Sequence, residues 1–392
     1  MPFPRLHAIC LALIASLAPS GFLKAQEPAA NFQPDWPNFR NGPALLGVSD
    51  QPLPAQLELL WEYPTVDGTN STPAIADGRV YIGALSGDLL CLDLTTGKKV
   101  WSYHSIESKD PNEFAPGFAA PIGVTADLAM GGDEDGVFHA VDRKTGEKRW
   151  TFKTGTIING GPAIYQDSVL VGSRDGKLYR LKLATGEKMW EFDAGGPVNA
   201  TATIAGQFTF MTGCSEPYLL VVDLETGKLS KKIAIDGRII ASIAFKDGIL
   251  YFGTAEGKIC ALDWQKGAGE MVWAHEVANQ DQQIDSSPAV TENEVVIGGP
   301  GKMILNLDRK TGKPLWTFPS RAKFEGSPVV AGDKVAVGGV DRTFYVLTLK
   351  DGKEVWRYGA GQAFKGSAAV GGGRVVIGTE AGDGRVLCFG KR

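Results

Sequence analysis

The chain has 392 residues, 50 of them Gly, and Gly is costly inside helices and cheap in turns, so a helical bundle is excluded. A mean hydropathy of −0.06 with 43% hydrophobic residues excludes both a disordered chain and a polytopic membrane protein. Lys plus Arg number 40 against 44 Asp plus Glu, with no basic stretch, so no nucleic-acid partner is expected.

In chain order, Arg5 precedes an apolar run from Leu6 to Ala18, which Pro19, Ser20 and Gly21 break before Ala25. This is the order of a secretory signal, and the run is shorter than the roughly 20 residues of a membrane span. Residues 1–25 are therefore read as a signal peptide, predicting an exported, periplasmic, monomeric protein with no transmembrane segment. Cys10 lies inside the apolar run and is a poor lipid-attachment site. Residues 26–56 read as an extended N-terminal arm with Trp36-Pro37-Asn38-Phe39-Arg40 as its aromatic anchor.

From residue 57 the sequence repeats. Asp93-Leu-Thr-Thr-Gly97 with Trp101 recurs as Asp142 to Gly146 with Trp150, Lys182 to Gly186 with Trp190, Asp308 to Gly312 with Trp316, and Thr348 to Gly352 with Trp356. Asp223 to Gly227 keeps the turn but has Lys231 where Trp belongs, and Asp263 to Gly267 has Trp273 two places late. Each unit holds a small-residue opening strand, an Asp-Gly turn, an alternating strand ending in Gly, a third strand, and the D-x-x-T-G turn before the Trp strand. Four strands per roughly 40 residues without helical periodicity describe a propeller blade. The opening strands number eight, the eighth unit lacks its Trp strand, and an orphan strand with Trp61 precedes the first. Residues 57–63 are therefore expected to complete the last blade of a propeller spanning 57–390, closing an all-β ring of eight four-stranded antiparallel blades. Trp61, Trp101, Trp150, Trp190, Trp273, Trp316 and Trp356 are expected to pack between blades.

The D-x-x-T-G-x-x-x-W motif over about residues 57–390 resembles the PQQ-like eight-bladed β-propeller repeat family. Its members include quinone-dependent alcohol dehydrogenases and an outer-membrane protein assembly factor, so the resemblance implies either PQQ with calcium or contacts with other envelope proteins. The dehydrogenases hold their quinone beside two adjacent Cys, whereas Cys91, Cys214, Cys260 and Cys388 are far apart. No cofactor is therefore expected, and an enzyme is disfavoured. His104, His139 and His275 lack metal-ligand spacing, so no metal is expected either. Gly132-Asp-Glu-Asp-Gly136 reads as turn chemistry rather than a calcium loop.

One class of position varies from blade to blade, at the start of the opening strands that should line the channel. It is read as Asn70, Phe118, Asn159, Val198, Ile240, Asp285, Glu325 and Lys365, with Arg238, Gln283 and Lys323 just before. With the long 102–117 loop these residues form the candidate partner-binding mouth. The reading is a non-catalytic envelope scaffold. A PQQ-dependent oxidoreductase and a polysaccharide-binding module are the alternatives, and the latter needs an exposed aromatic platform such as Trp36 or Phe114.

Overall fold

The Asp-Gly pairs set the blade geometry. Asp77 and Gly78 take φ of 50° and 68°, and Asp247 and Gly248 take 51° and 83°. Two successive residues at positive φ make the tight hairpin that matches strand twist. In the computed structural model the described residues are 1, 2, 32 and 35–392, apart from 109, 111–112, 214, 216, 278–282 and 300. The expected signal peptide lies, but for its first two residues, outside them, as does Cys214.

Among the described residues eight sheets form, and in the first six the strands run in sequence order from the channel outward. The first blade holds Ala74–Ala76, Arg79–Gly83, Asp88–Asp93 and Lys99–His104. Six more follow, opening at Gly123–Val124, Ala163–Tyr165, Thr203–Ala205, Ala244–Lys246, Ala289–Val290 and Val329–Ala331. In the eighth, Ala369–Gly371, Arg374–Gly378 and Arg385–Gly390 are completed by Glu58–Pro64, with Trp61 opposite Cys388 and Tyr63 opposite Val386. The orphan strand and the incomplete last unit thus close the ring.

All eight outermost strands carry a bulge just before the Trp position. A bulge bends the strand and blunts an edge that would otherwise pair with another chain. Cys91, Cys260 and Cys388 are buried free thiols on third strands of separate blades.

The seams explain the repeat. The indole Nε1 of Trp61, Trp101, Trp150, Trp190, Trp273 and Trp316 donates to the carbonyl after the first turn residue of the next blade, at 2.7–3.1 Å. A Cβ on Gly97 would stand 2.6 Å from the Trp61 ring, and Gly97 has φ of 71°. Backbone conformation and indole contact therefore both select Gly there. Trp356 faces a blade with no such turn and packs edge-on against Phe389, centroids 5.2 Å apart.

The fourth seam is reversed. Lys231 donates through Nζ to the carbonyls of Trp264 and Gly267 at 2.8 and 2.9 Å, in the place of the missing indole. Trp264, in the turn itself, points back into the fourth blade against Phe208 and Phe210, at 5.2 and 5.1 Å. The tryptophan left over by the repeat fills the seam that lacks one.

Candidate functional site

The two ends of the channel are built differently. At the end where the opening strands finish, residues 36–49 run around the axis. Trp36 pairs with Ile75 through two backbone bonds of 2.8 and 3.0 Å. The carbonyls of Pro37, Pro43, Ala44, Leu46 and Gly47 then accept the N–H groups of Val124, Ile204, Phe245, Val290 and Val330. With Ile75 these are equivalent positions on the opening strands of six blades, the third and eighth excepted, and their channel-side N–H groups have no neighbouring strand to pair with. The segment supplies the missing acceptors, and an unpaired buried N–H costs about 1–3 kcal/mol. Positive φ at Arg40, Asn41, Gly42, Leu45 and Gly47 bends it into the required arc. Val48–Ser49 extends the seventh blade as a parallel fifth strand.

Trp36 is 0% exposed, with Asn38 and Arg40 at 3% and 1%. This corrects the reading of Trp36 as an exposed aromatic platform, because its ring belongs to the core that the first and eighth blades share. Arg40 donates through Nη1 to Pro328 O at 2.5 Å, while Nε and Nη2 have no partner among the described residues. Burial pushes this guanidinium down to about 9.

The other end is an open mouth. A cavity of about 210 Å³ is lined, one residue per blade, by Asn70, Ala119, Asn159, Asn199, Ile240, Asp285, Glu325 and Lys365, and Phe39 of the sealing segment also lines it. Six of the eight expected rim residues stand in this ring. Phe118 and Val198 do not, being 0% and 1% exposed. They fill the space beside Gly83 and Gly172, where a Cβ would meet them at 2.5 and 2.6 Å. The ring positions in those blades are Ala119 and Asn199. Counting back from Pro121 misplaces the first by one residue, and the fourth blade has no Pro to count from.

Below the rim a belt of hydroxyls joins the blades. Backbone N–H groups of Gly161, Thr201, Ser242, Ser287, Ser327 and Ser367 donate to the side chains of Thr201, Ser242, Ser287, Ser327, Ser367 and Thr72, at 2.8–3.1 Å. The belt stops at the second blade, where Pro121 has neither hydroxyl nor N–H. These bonds explain the small Ser and Thr residues of the opening strands.

The rim charges are paired. Lys323 contacts Glu325 at 2.8 Å and Asp285 at 3.5 Å, and the Glu325 carboxylate raises the Lys323 ammonium above its usual range. Lys365 pairs with Glu380, Gln283 bonds Asp285, and Arg238 contacts Glu256 at 3.3 Å. Arg238 lies outside the ring. Gln283 and Lys323 border an adjoining groove of about 520 Å³ with Lys302 and Phe324. Neutral side chains face the channel from the first five blades, and charged ones from the last three.

His139 is a buried strand residue. Its Nε2 meets Asp133 at 2.9 Å and its Nδ1 meets Tyr103 at 3.0 Å. Asp133 also accepts the N–H groups of Asp135 and Val137, the turn chemistry expected of that loop.

Ring number, strand order and docked indoles define an eight-bladed propeller of the PQQ-like class, with one sealed and one open channel end. A family model described as Outer membrane protein assembly factor BamB matches residues 54–131, 133–282 and 265–389, and the chain belongs to that family. It is similar to the Outer membrane protein assembly factor BamB of Xanthomonas campestris pv. campestris, 29% identical over 278 residues covering 65% of each chain. The chain thus spans about two-thirds of that relative's length. A Lanthanide-dependent methanol dehydrogenase of Methylacidiphilum fumariolicum is 37% identical over 79 residues, 20% of this chain and 12% of the enzyme. Among solved structures, BamB from Moraxella catarrhalis superposes with a TM-score of 0.69 at 18% identity, over 86% of this chain and 98% of that one. Quinohemoprotein alcohol dehydrogenase from Comamonas testosteroni gives 0.74 at 15% identity, over 92% and 81%. Both share the fold.

PQQ does not fit the residues present. It is a flat polyanion, and Asp285 and Glu325 flank the mouth while Lys365 is already paired with Glu380. Cys91, Cys260 and Cys388 sit in separate blades with thiols pushed up by burial, to about 11, 12 and 12.

Proposed function

We propose that this chain is an exported, periplasmic, monomeric and non-catalytic scaffold that holds other envelope proteins at the open mouth of its channel. The carrying observation is the asymmetry of the two ends. Residues 36–49 occupy the inner-strand N–H groups at one end, and the other presents polar side chains on a rigid ring. Rigid scaffolds with convergent variable side chains are where binding surfaces arise. The similarity to assembly factors over 278 residues supports the same reading. Arg238, Gln283, Lys323 and Lys365, with Asn70, Asn159, Asp285 and Glu325, are the proposed contact residues.

Photo-crosslinking residues introduced at Arg238 and Lys365 in the native envelope test it, with Lys310 on the opposite face as the control. Crosslinks to an envelope protein from the first two positions and not the third are expected. Crosslinks from Lys310 alone would place the partner on the wrong end.

A further inference from the structure

We infer that the channel is a single-mouthed cup for a small neutral polyol, a sugar-sized molecule entering between the rim side chains and resting on Phe39. The inference does not depend on any protein partner.

Phe39 carries it first. Its neighbours Trp36, Asn38 and Arg40 are buried in the protein, while Phe39 remains partly exposed and lines the polar cavity. An aromatic face left against a polar cavity is a stacking surface for the C–H face of a sugar ring. It is also an apolar element among precisely placed polar groups, the usual make-up of a small-molecule site.

The walls match both sides of a hydroxyl. Ser242, Ser287, Ser327 and Ser367 accept backbone N–H bonds through their oxygens, and each hydroxyl keeps its own proton to donate. Asn70 and Asn159 contribute side-chain amides to the same wall.

Charge and size set the class. The charged arc sets two lysines against three carboxylates, Lys323 with Asp285 and Glu325 and Lys365 with Glu380, a slight negative excess that repels an anion. A charged ligand would have to break one of these pairs, whereas a neutral hydroxylated one need not. One water needs about 10–15 Å³ of cavity, so 210 Å³ accommodates a six-membered ring with its hydroxyls.

Saturation-transfer NMR and titration calorimetry on the full chain test this, with D-glucose, N-acetylglucosamine and cellobiose as probes and benzoate as an anionic control. Saturation of the sugar protons is expected, with none for benzoate. Tighter binding of cellobiose than glucose would identify a chain end as the source, and the reverse a free monosaccharide. Asn70→Ala and Phe39→Ala should each weaken binding by about tenfold or more. If Phe39→Ala melts early, Asn159→Ala takes its place. Absence of saturation for all three sugars would overturn the inference, as would undiminished binding in Asn70→Ala.

Discussion

The two ends of the channel face the same problem in different ways. Every opening strand presents N–H groups to the axis that no neighbouring strand can pair. At the sealed end, backbone carbonyls from residues 36–47 accept them in six of the blades, and alternate residues of the segment, Trp36, Asn38 and Arg40 among them, are buried. At the mouth, hydroxyl side chains of the adjacent blade accept them instead, and the axis stays open. Backbone acceptors from one continuous segment tie six blades together, so stability should concentrate there. Side-chain acceptors leave room for a ligand, so variable chemistry can concentrate at the mouth.

The comparison can be broken at several points. Deleting residues 58–64 has the largest expected effect, because it opens the edge of Arg385–Gly390 and unlinks the ring. The chain should aggregate or lose its cooperative melting transition; cooperative melting at the parent temperature would contradict closure.

Next, Trp36→Ala removes a ring that is 0% exposed and should cost about 3–5 kcal/mol in denaturant titration. A loss below about 1 kcal/mol would mean that the sealing segment is only laid against the propeller.

The seams sharpen the contrast within the ring. Trp150→Ala should cost about 3 kcal/mol or more, since that indole is 8% exposed and hydrogen-bonded. Lys231→Ala should cost about 1 kcal/mol, because Trp264 already fills the fourth seam. Equal losses would show that the reversed tryptophan does not compensate.

Smallest in stability is the rim. Arg238→Glu and Lys365→Gln break exposed or half-exposed pairs, each worth roughly 0–1 kcal/mol. Melting should stay nearly constant while partner capture weakens, most at low salt where screening is weak. Capture that survives both variants would move the partner off the mouth.

Much of this architecture is legible in the sequence, because the constraint repeats. A Gly beneath an indole, an Asp-Gly hairpin and a Trp at fixed spacing recur often enough to expose the blade, its number and its closure. Lys231 is equally visible, as a break in the pattern. The sealing segment is not visible in this way. Its bonds run through backbone carbonyls of Pro37, Pro43, Ala44, Leu46 and Gly47, and carbonyls leave no residue signature. Burial alternates at Trp36, Asn38 and Arg40, but with an amide and a guanidinium among the inward residues the sequence shows no apolar alternation. Ala119 and Asn199 escape for a simpler reason: Pro121 stands two rather than three residues after the ring position of the second blade, and the fourth blade has Ala202 where the first and third have Pro.

Amide hydrogen exchange tests the central claim, that residues 36–49 seal one end and leave the other free. The full chain should be compared with a chain lacking residues 35–49 and with Lys365→Gln. Without the segment, exchange should accelerate at the opening strands holding Ile75, Val124, Ile204, Phe245, Val290 and Val330, while third strands such as Asp88–Asp93 keep their protection. Lys365→Gln should change none of these. Opening strands that remain protected after the deletion would contradict the account.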